Sequence, residues 1–235
     1  MKKALFKILI FFLRPFARPV RYAMLKLMKF MHNPRDRRPA IAVASHLIEE
    51  IALPSTFKFF KDVKFRELAN FNKLTVSEHD RIFNELQAAA VCTTEYSLIE
   101  AKNYLKDGNF HFWSAVEEEL PRQLQKVFSS FGIDSSNAKQ MREFIKIRQR
   151  EYENFARQTS MANVVMDQEV KNMIEKNLQN SSQIKQLLSD FLAVAYGSVN
   201  HIRRGKIEEK DPLVRYFMTW LLKLRKRLIK FVIKL

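Results

Sequence analysis

The chain has 235 residues, with 41 Lys/Arg against 25 Asp/Glu, four glycines and a single cysteine. Four scattered glycines cannot build a phosphate-binding loop and disfavour a strand-and-turn protein, and one cysteine cannot close a disulfide within the chain. The net charge of +16 sits at the two ends: residues 1–35 carry nine Lys/Arg and no acid, residues 212–235 carry seven and none, and residues 36–211 carry 25 of each sign.

This division predicts a basic amphipathic membrane-binding segment (1–35), a charge-neutral α-helical body (36–211) and a basic amphipathic C-terminal helix (212–235). The expected fold class is all-α, an irregular bundle of about six or seven core helices with amphipathic basic helices at both termini. Cys92, with no second cysteine or nearby histidine in sequence, reads as a small buried side chain.

At the N-terminus, Lys2 and Lys3 precede an apolar run, Ala4 to Leu13, broken only by Lys7. Arg14, Pro15, Arg18 and Pro19 follow without a small-residue cleavage site, which argues against a secretory signal. A mitochondrial presequence has the right charge, but the first serine is Ser45 and the first threonine Thr56, so that location is the lesser alternative. As a helix the run rises about 15 Å against a hydrocarbon core of about 30 Å, so it is expected to lie on or dip into one leaflet. The next segment places Val20, Met24, Leu27, Met28 and Met31 on one helical stripe with Lys26 and Lys29 opposite. His32 to Pro39 reads as a linker.

In the body, Pro39 opens a helix with the stripe Ile41, Ala44, Ile48 and Ile51, expected to end at Pro54. A further helix is expected from Ser55 to about Phe71. Ser77 with Asp80 predicts a cap for a long helix running to Lys106 before Gly108. Pro121 is expected to divide or kink the helix Phe110 to Phe131, and Ser135 or Ser136 to cap one carrying Met141, Phe144, Ile145, Tyr152 and Phe155. After a helix around Val164 to Leu178, Ser181 or Ser182 opens one whose Ile184, Leu187, Leu188, Phe191, Ala195, Val199 and Ile202 keep a 3.6-residue period. Asp211 and Pro212 form an N-cap and first-turn pair for the last helix. There Leu213, Phe217, Trp220, Leu221, Leu224, Leu228 and Phe231 line one face and Arg215, Lys223, Lys226 and Lys230 the other.

Helices with cations on one face and Trp, Phe and Leu on the other have the composition of interfacial helices, and each Lys/Arg near an anionic leaflet contributes about 1 kcal/mol before screening. The candidate membrane-binding residues are Lys2, Lys3, Phe6, Lys7, Phe11, Phe12, Arg14, Arg18, Arg21, Lys26 and Lys29 at one end and Trp220, Lys223, Arg225, Lys226, Arg227 and Lys230 at the other. The competing expectation is that these stripes dock on the body's own core or on a partner helix. The expected partner is an anionic membrane surface, with a membrane protein complex next. Nucleic acid ranks lower because the aromatics lie on the apolar face instead of alternating with cations.

No motif identifies a chemistry, and no catalytic residue, cofactor or metal site is expected. No two of the five histidines stand at i, i+3 or i, i+4, and no Glu-x-x-His pair occurs. His46 with Glu49 has the reverse order, and the isolated His79–Asp80 dipeptide sits at a helix start, so both read as solvated. Glu117, Glu118 and Glu119 read as a solvated helix face. Arg148 breaks the stripe Met141, Ile145, Tyr152 and Phe155, and Glu100 falls on the arc of Ile82 and Leu86. A buried Arg148–Glu100 ion pair is therefore expected, against the alternative that Arg148 extends to solvent from the stripe's end. The functional expectation is a peripheral membrane protein on a cytoplasmic face, structural or adaptor in role. A membrane-associated enzyme acting on a lipid or lipophilic substrate is the first alternative, and a nucleic-acid or ribosome-binding protein the second.

Overall fold

Local chemistry explains most of the helix boundaries in the computed structural model, which describes residues 19–31, 33, 36–104, 109–130, 134–161, 181–208 and 211–235. Every regular element among these residues is helical, and the fold is all-α. After α1 (residues 19–30) comes α2 (Arg38–His46), with Pro39 in its first turn, where a missing N–H costs nothing. The expected break at Pro54 does not occur. Instead α2 widens into a π-helical turn, Leu47–Ala52, and continues as α3 (Leu53–Phe60). The N–H of Leu53 bonds to the carbonyl of Ile48, and Pro54 falls in the first turn of α3.

The helix expected from Ser55 to about Phe71 is three pieces: α3, α4 (Val63–Leu68) and a 3-10 turn, Phe71–Lys73. Asp62 starts α4 by accepting the N–H of Phe65 at 2.9 Å, and Asn70, at φ 57°, separates α4 from the 3-10 turn in the left-handed conformation that asparagine tolerates. In α5 (Val76–Tyr104) the capping hydroxyl is that of Thr75, which accepts from the N–H of Glu78 at 3.4 Å, two residues before the expected Ser77. Helix α6 (Phe110–Ser130) remains one helix through Pro121. Helices α7 (Ser135–Met161) and α8 (Ser181–Ile202) follow. The helix expected around Val164 to Leu178 lies outside the described residues. Asp211 caps α9 (Pro212–Lys234) by accepting the N–H of Leu213 at 2.8 Å, as its sequence predicts.

Helix α5 is the axis of the bundle, packed against α3, α6, α7, α8 and α9. Its run Ala88, Ala89, Ala90, Val91, Cys92, Thr93 and Thr94 is buried on all sides, and these short side chains let neighbouring helices approach from every direction. Encirclement explains why the arc of Ile82 and Leu86 does not continue along this helix as a single apolar face. At the α7–α8 crossing a Cβ on Gly197 would lie 2.7 Å from the ring of Tyr152, whose hydroxyl shares a hydrogen bond of 2.9 Å with that of Ser198. Arg203 ties three elements together, donating to Asp211 at 2.8 Å and to the carbonyl of Leu68 at 2.8 Å.

Candidate functional site

The two basic ends, so alike in sequence pattern, are placed differently. Helix α1 docks through a narrow inward face: Leu25 is buried, the Tyr22 ring meets Phe231 of α9 edge-on at 6.1 Å, and the Lys29 ammonium lies 5.2 Å from the ring centre of Trp113. Arg21 turns to the π-helical turn, donating to Glu50 at 3.0 Å and Glu49 at 3.5 Å. At about 100° per residue, Phe30, Ala23, Leu27, Val20, Met31 and Met24 fall within an arc of about 120° on the opposite side. All six are exposed, and the five large ones retain between 57 and 89% of their accessible surface. Four residues of the predicted stripe thus face outward, with Met28 at its edge and Lys26 exposed on the far flank. Lys2, Lys3, Phe6, Lys7, Phe11, Phe12, Arg14 and Arg18 lie outside the described residues.

Helix α9 reverses this arrangement. Leu213, Phe217, Leu221, Leu224 and Leu228 are buried in the common core. Trp220, expected at a bilayer, lies parallel to the Phe59 ring at 4.5 Å, meets Phe217 edge-on at 5.1 Å and donates its indole N–H to Ser55 at 3.0 Å. Arg225 is also inward, because at this point α9 crosses Glu100 of α5: its Nε donates to that carboxylate at 2.7 Å and a second guanidinium nitrogen completes a two-point contact. Trp220 and Arg225 are therefore held by the fold, and the expectation that this apolar stripe lies on a membrane is corrected: the stripe packs on the body. Lys223, Lys226, Arg227, Lys230 and Lys234 point outward and are exposed. None of these five pairs with a carboxylate among the described residues.

The expected Arg148–Glu100 pair is also corrected. Arg148 lies against the Phe144 ring and is bound by Glu85, which accepts at 2.6, 2.9 and 3.2 Å, and by Glu151 at 2.9 Å. Both residues were recognisable as charges in apolar stripes. Glu85 carries no such signal, because it falls about 60° outside the arc of Ile82 and Leu86, where a charge reads as ordinary.

Glu95 is the third buried carboxylate of α5 and the one with no arginine partner among the described residues. It is 6% exposed, its Oε2 has no hydrogen-bond partner, and burial, reinforced by Glu117 and Glu153, pushes its pKa up to about 8. It is therefore protonated at neutral pH. Glu117, read as part of a solvated face, is bound by Lys102, and Glu119 of the same run is buried, accepting from Arg122 at 2.8 Å and Arg37 at 3.4 Å. Cys92 is wholly buried, and burial raises its thiol well above the ordinary range, which makes it a poor nucleophile.

The described histidines do not converge. His46 stacks on Phe231 at 4.6 Å with its Nδ1 buried and unpartnered, and burial, then the charge of Arg21, lowers its pKa. His79 stacks on Phe71 and contacts its carbonyl at 3.1 Å, and His201 contacts Glu151 at 2.9 Å. No three metal-ligating side chains come together among the described residues, and none of the described helices is long and apolar enough to cross a membrane. Comparison with known proteins finds no matching family model, no similar curated protein and no similar solved structure.

Proposed function

We propose that this chain is a peripheral membrane protein, held at the cytoplasm-facing surface of an anionic bilayer by its N-terminal end and serving a structural or adaptor role in a membrane assembly. The observation that supports this reading is the outward arc of α1. A helix that merely completed the bundle would turn Val20, Met24, Leu27, Phe30 and Met31 inward; here they stand in solvent while Arg21 and Tyr22 make the contacts to the body. Contiguous exposed apolar surface of this kind marks an interaction site. The sequence immediately before it is acid-free and rich in Lys, Arg, Phe and Leu, a composition suited to negatively charged lipid.

Insertion of the arc to a depth of about 5–10 Å would seat the helix at the boundary of headgroups and acyl chains without crossing the bilayer. Vesicle flotation tests the reading. The full chain is expected to float with vesicles containing phosphatidylserine at low salt, and to float less when Leu27 and Phe30 are replaced by serine. A folded full-length protein that stays at the bottom of the gradient would sink it.

A further inference from the structure

The outward side of α9 is as uniformly cationic as its buried side is apolar. Lys226, Lys230, Lys223, Lys234 and Arg227 occupy an arc of about 100°, and Lys223 to Lys234 spans about 16 Å of helix axis. No acid occurs in residues 212–235, and none of the five cations is neutralised by a carboxylate among the described residues. Elsewhere in the fold Arg21, Arg81, Arg148, Arg203 and Arg225 are all engaged by carboxylates. Unneutralised like charges at i, i+3 and i, i+4 repel one another, so the ridge opposes helix formation in the free protein. An external anion held by the ridge would relieve it.

The same ridge borders α1. Tyr22 meets Phe231 edge-on, and Arg227 lies one helical turn from Phe231 on nearly the same side of α9, so the ridge approaches the helix whose apolar arc faces outward at Arg227. We infer that the α9 ridge is an electrostatic contact for the headgroups of anionic phospholipids, working without insertion because the apolar face of its helix is spent on the core. This assignment rests on the membrane reading above and adds a division of labour: α1 contributes apolar insertion, and α9 contributes charge. Lipid is favoured over nucleic acid because Phe217 and Trp220 are buried and Tyr216 and Phe231 pack against the core, which leaves no aromatic platform for bases beside the cations.

The test is a full-length variant carrying Lys223→Gln, Lys226→Gln, Arg227→Gln, Lys230→Gln and Lys234→Gln, all at exposed positions. Its partition onto phosphatidylcholine vesicles containing phosphatidylserine is expected to fall at least about tenfold at low salt, with a shallower salt dependence, while partition onto pure phosphatidylcholine is unchanged. Equal binding and an equal salt slope for the two proteins, with the parent chain still floating, would overturn the ridge and leave the membrane reading standing. If the parent chain does not float, both fall. If the parent ignores vesicles but binds a polyuridine RNA in a ridge-dependent way, the lipid assignment is overturned in favour of nucleic acid. A second measurement does not depend on the multiple variant. Cys92 is buried, so a thiol probe placed by Lys230→Cys labels that position alone. The probe is expected to be quenched by headgroup-labelled phosphatidylserine, and absence of quenching on vesicle-bound protein would also overturn the ridge.

Discussion

Helices α1 and α9 share a stripe spacing and a basic composition, yet one hides its apolar face and the other displays it. Helix α9 buries ten residues, from Leu213 to Val232, whereas α1 buries Leu25 alone. At about 1.5–3 kcal/mol for each large apolar side chain removed from water, α9 is an integral part of the core and α1 is lightly held. The difference lies in what each helix meets. Helix α9 finds the aromatic ring of Phe59 and the small-residue axis of α5; α1 finds Glu49, Glu50 and the Phe231 edge, which suit Arg21 and Tyr22 better than a methionine stripe. Periodicity identifies an apolar face. It does not say what will cover it.

Breaking the α9 side should have the largest effect. Arg225→Met leaves the Glu100 carboxylate buried without its cation, and the denaturant midpoint should report a loss of about 3–5 kcal/mol. Adding Glu100→Leu to the same chain should recover most of it; no recovery would mean that packing, not charge, dominates at this contact. Trp220→Ala should cost a similar amount, about 3–5 kcal/mol, by opening a cavity beside Phe59 and orphaning the Ser55 hydroxyl.

A pH titration separates the axis on which α9 packs from the surface of α1. The Glu95 carboxyl has an ordinary value of 4.5 and is raised to about 8 in the fold. As pH rises through that window the unfolded chain releases the proton while the folded chain keeps it, so stability falls, and the penalty is constant above about pH 8. Glu95→Gln should flatten this decline and be most stabilising, relative to the parent chain, at the alkaline end. An unchanged pH profile would show that Glu95 is not protonated in the folded state. The smallest effect is expected on α1: Leu27→Ser with Phe30→Ser should shift the thermal midpoint by the equivalent of no more than about 0.5 kcal/mol while reducing vesicle binding. A large destabilisation would mean that the arc is covered in the free protein.

Fold class was legible because glycine is scarce and the helix periods are strong, and the start of α9 because Asp211–Pro212 acts locally. Pro54 misled because its cost depends on whether the preceding turn can widen. Arg148 and Glu100 were legible as misplaced charges but not as partners of Glu85 and Arg225. Glu85 and Glu100 stand 15 residues apart on α5, about 22 Å along the axis, so the partner of each is set by which helix crosses at that height. That crossing is a long-range property. Glu95 was invisible for a related reason, since a helix surrounded on all sides shows no face against which a polar residue stands out.

The π-helical turn Leu47–Ala52 has a consequence for sequence drift. A π turn holds one residue more than an α turn, so the segment tolerates an extra residue without moving either flank, and loss of one residue would restore a regular helix. Such a deletion would therefore leave α3 in phase with α2 and keep Phe59 against Trp220. Of two chains that differ by one residue between His46 and Leu53, both can therefore keep the aromatic stack beneath α9, and the difference falls on the turn that presents Glu49 and Glu50 to Arg21.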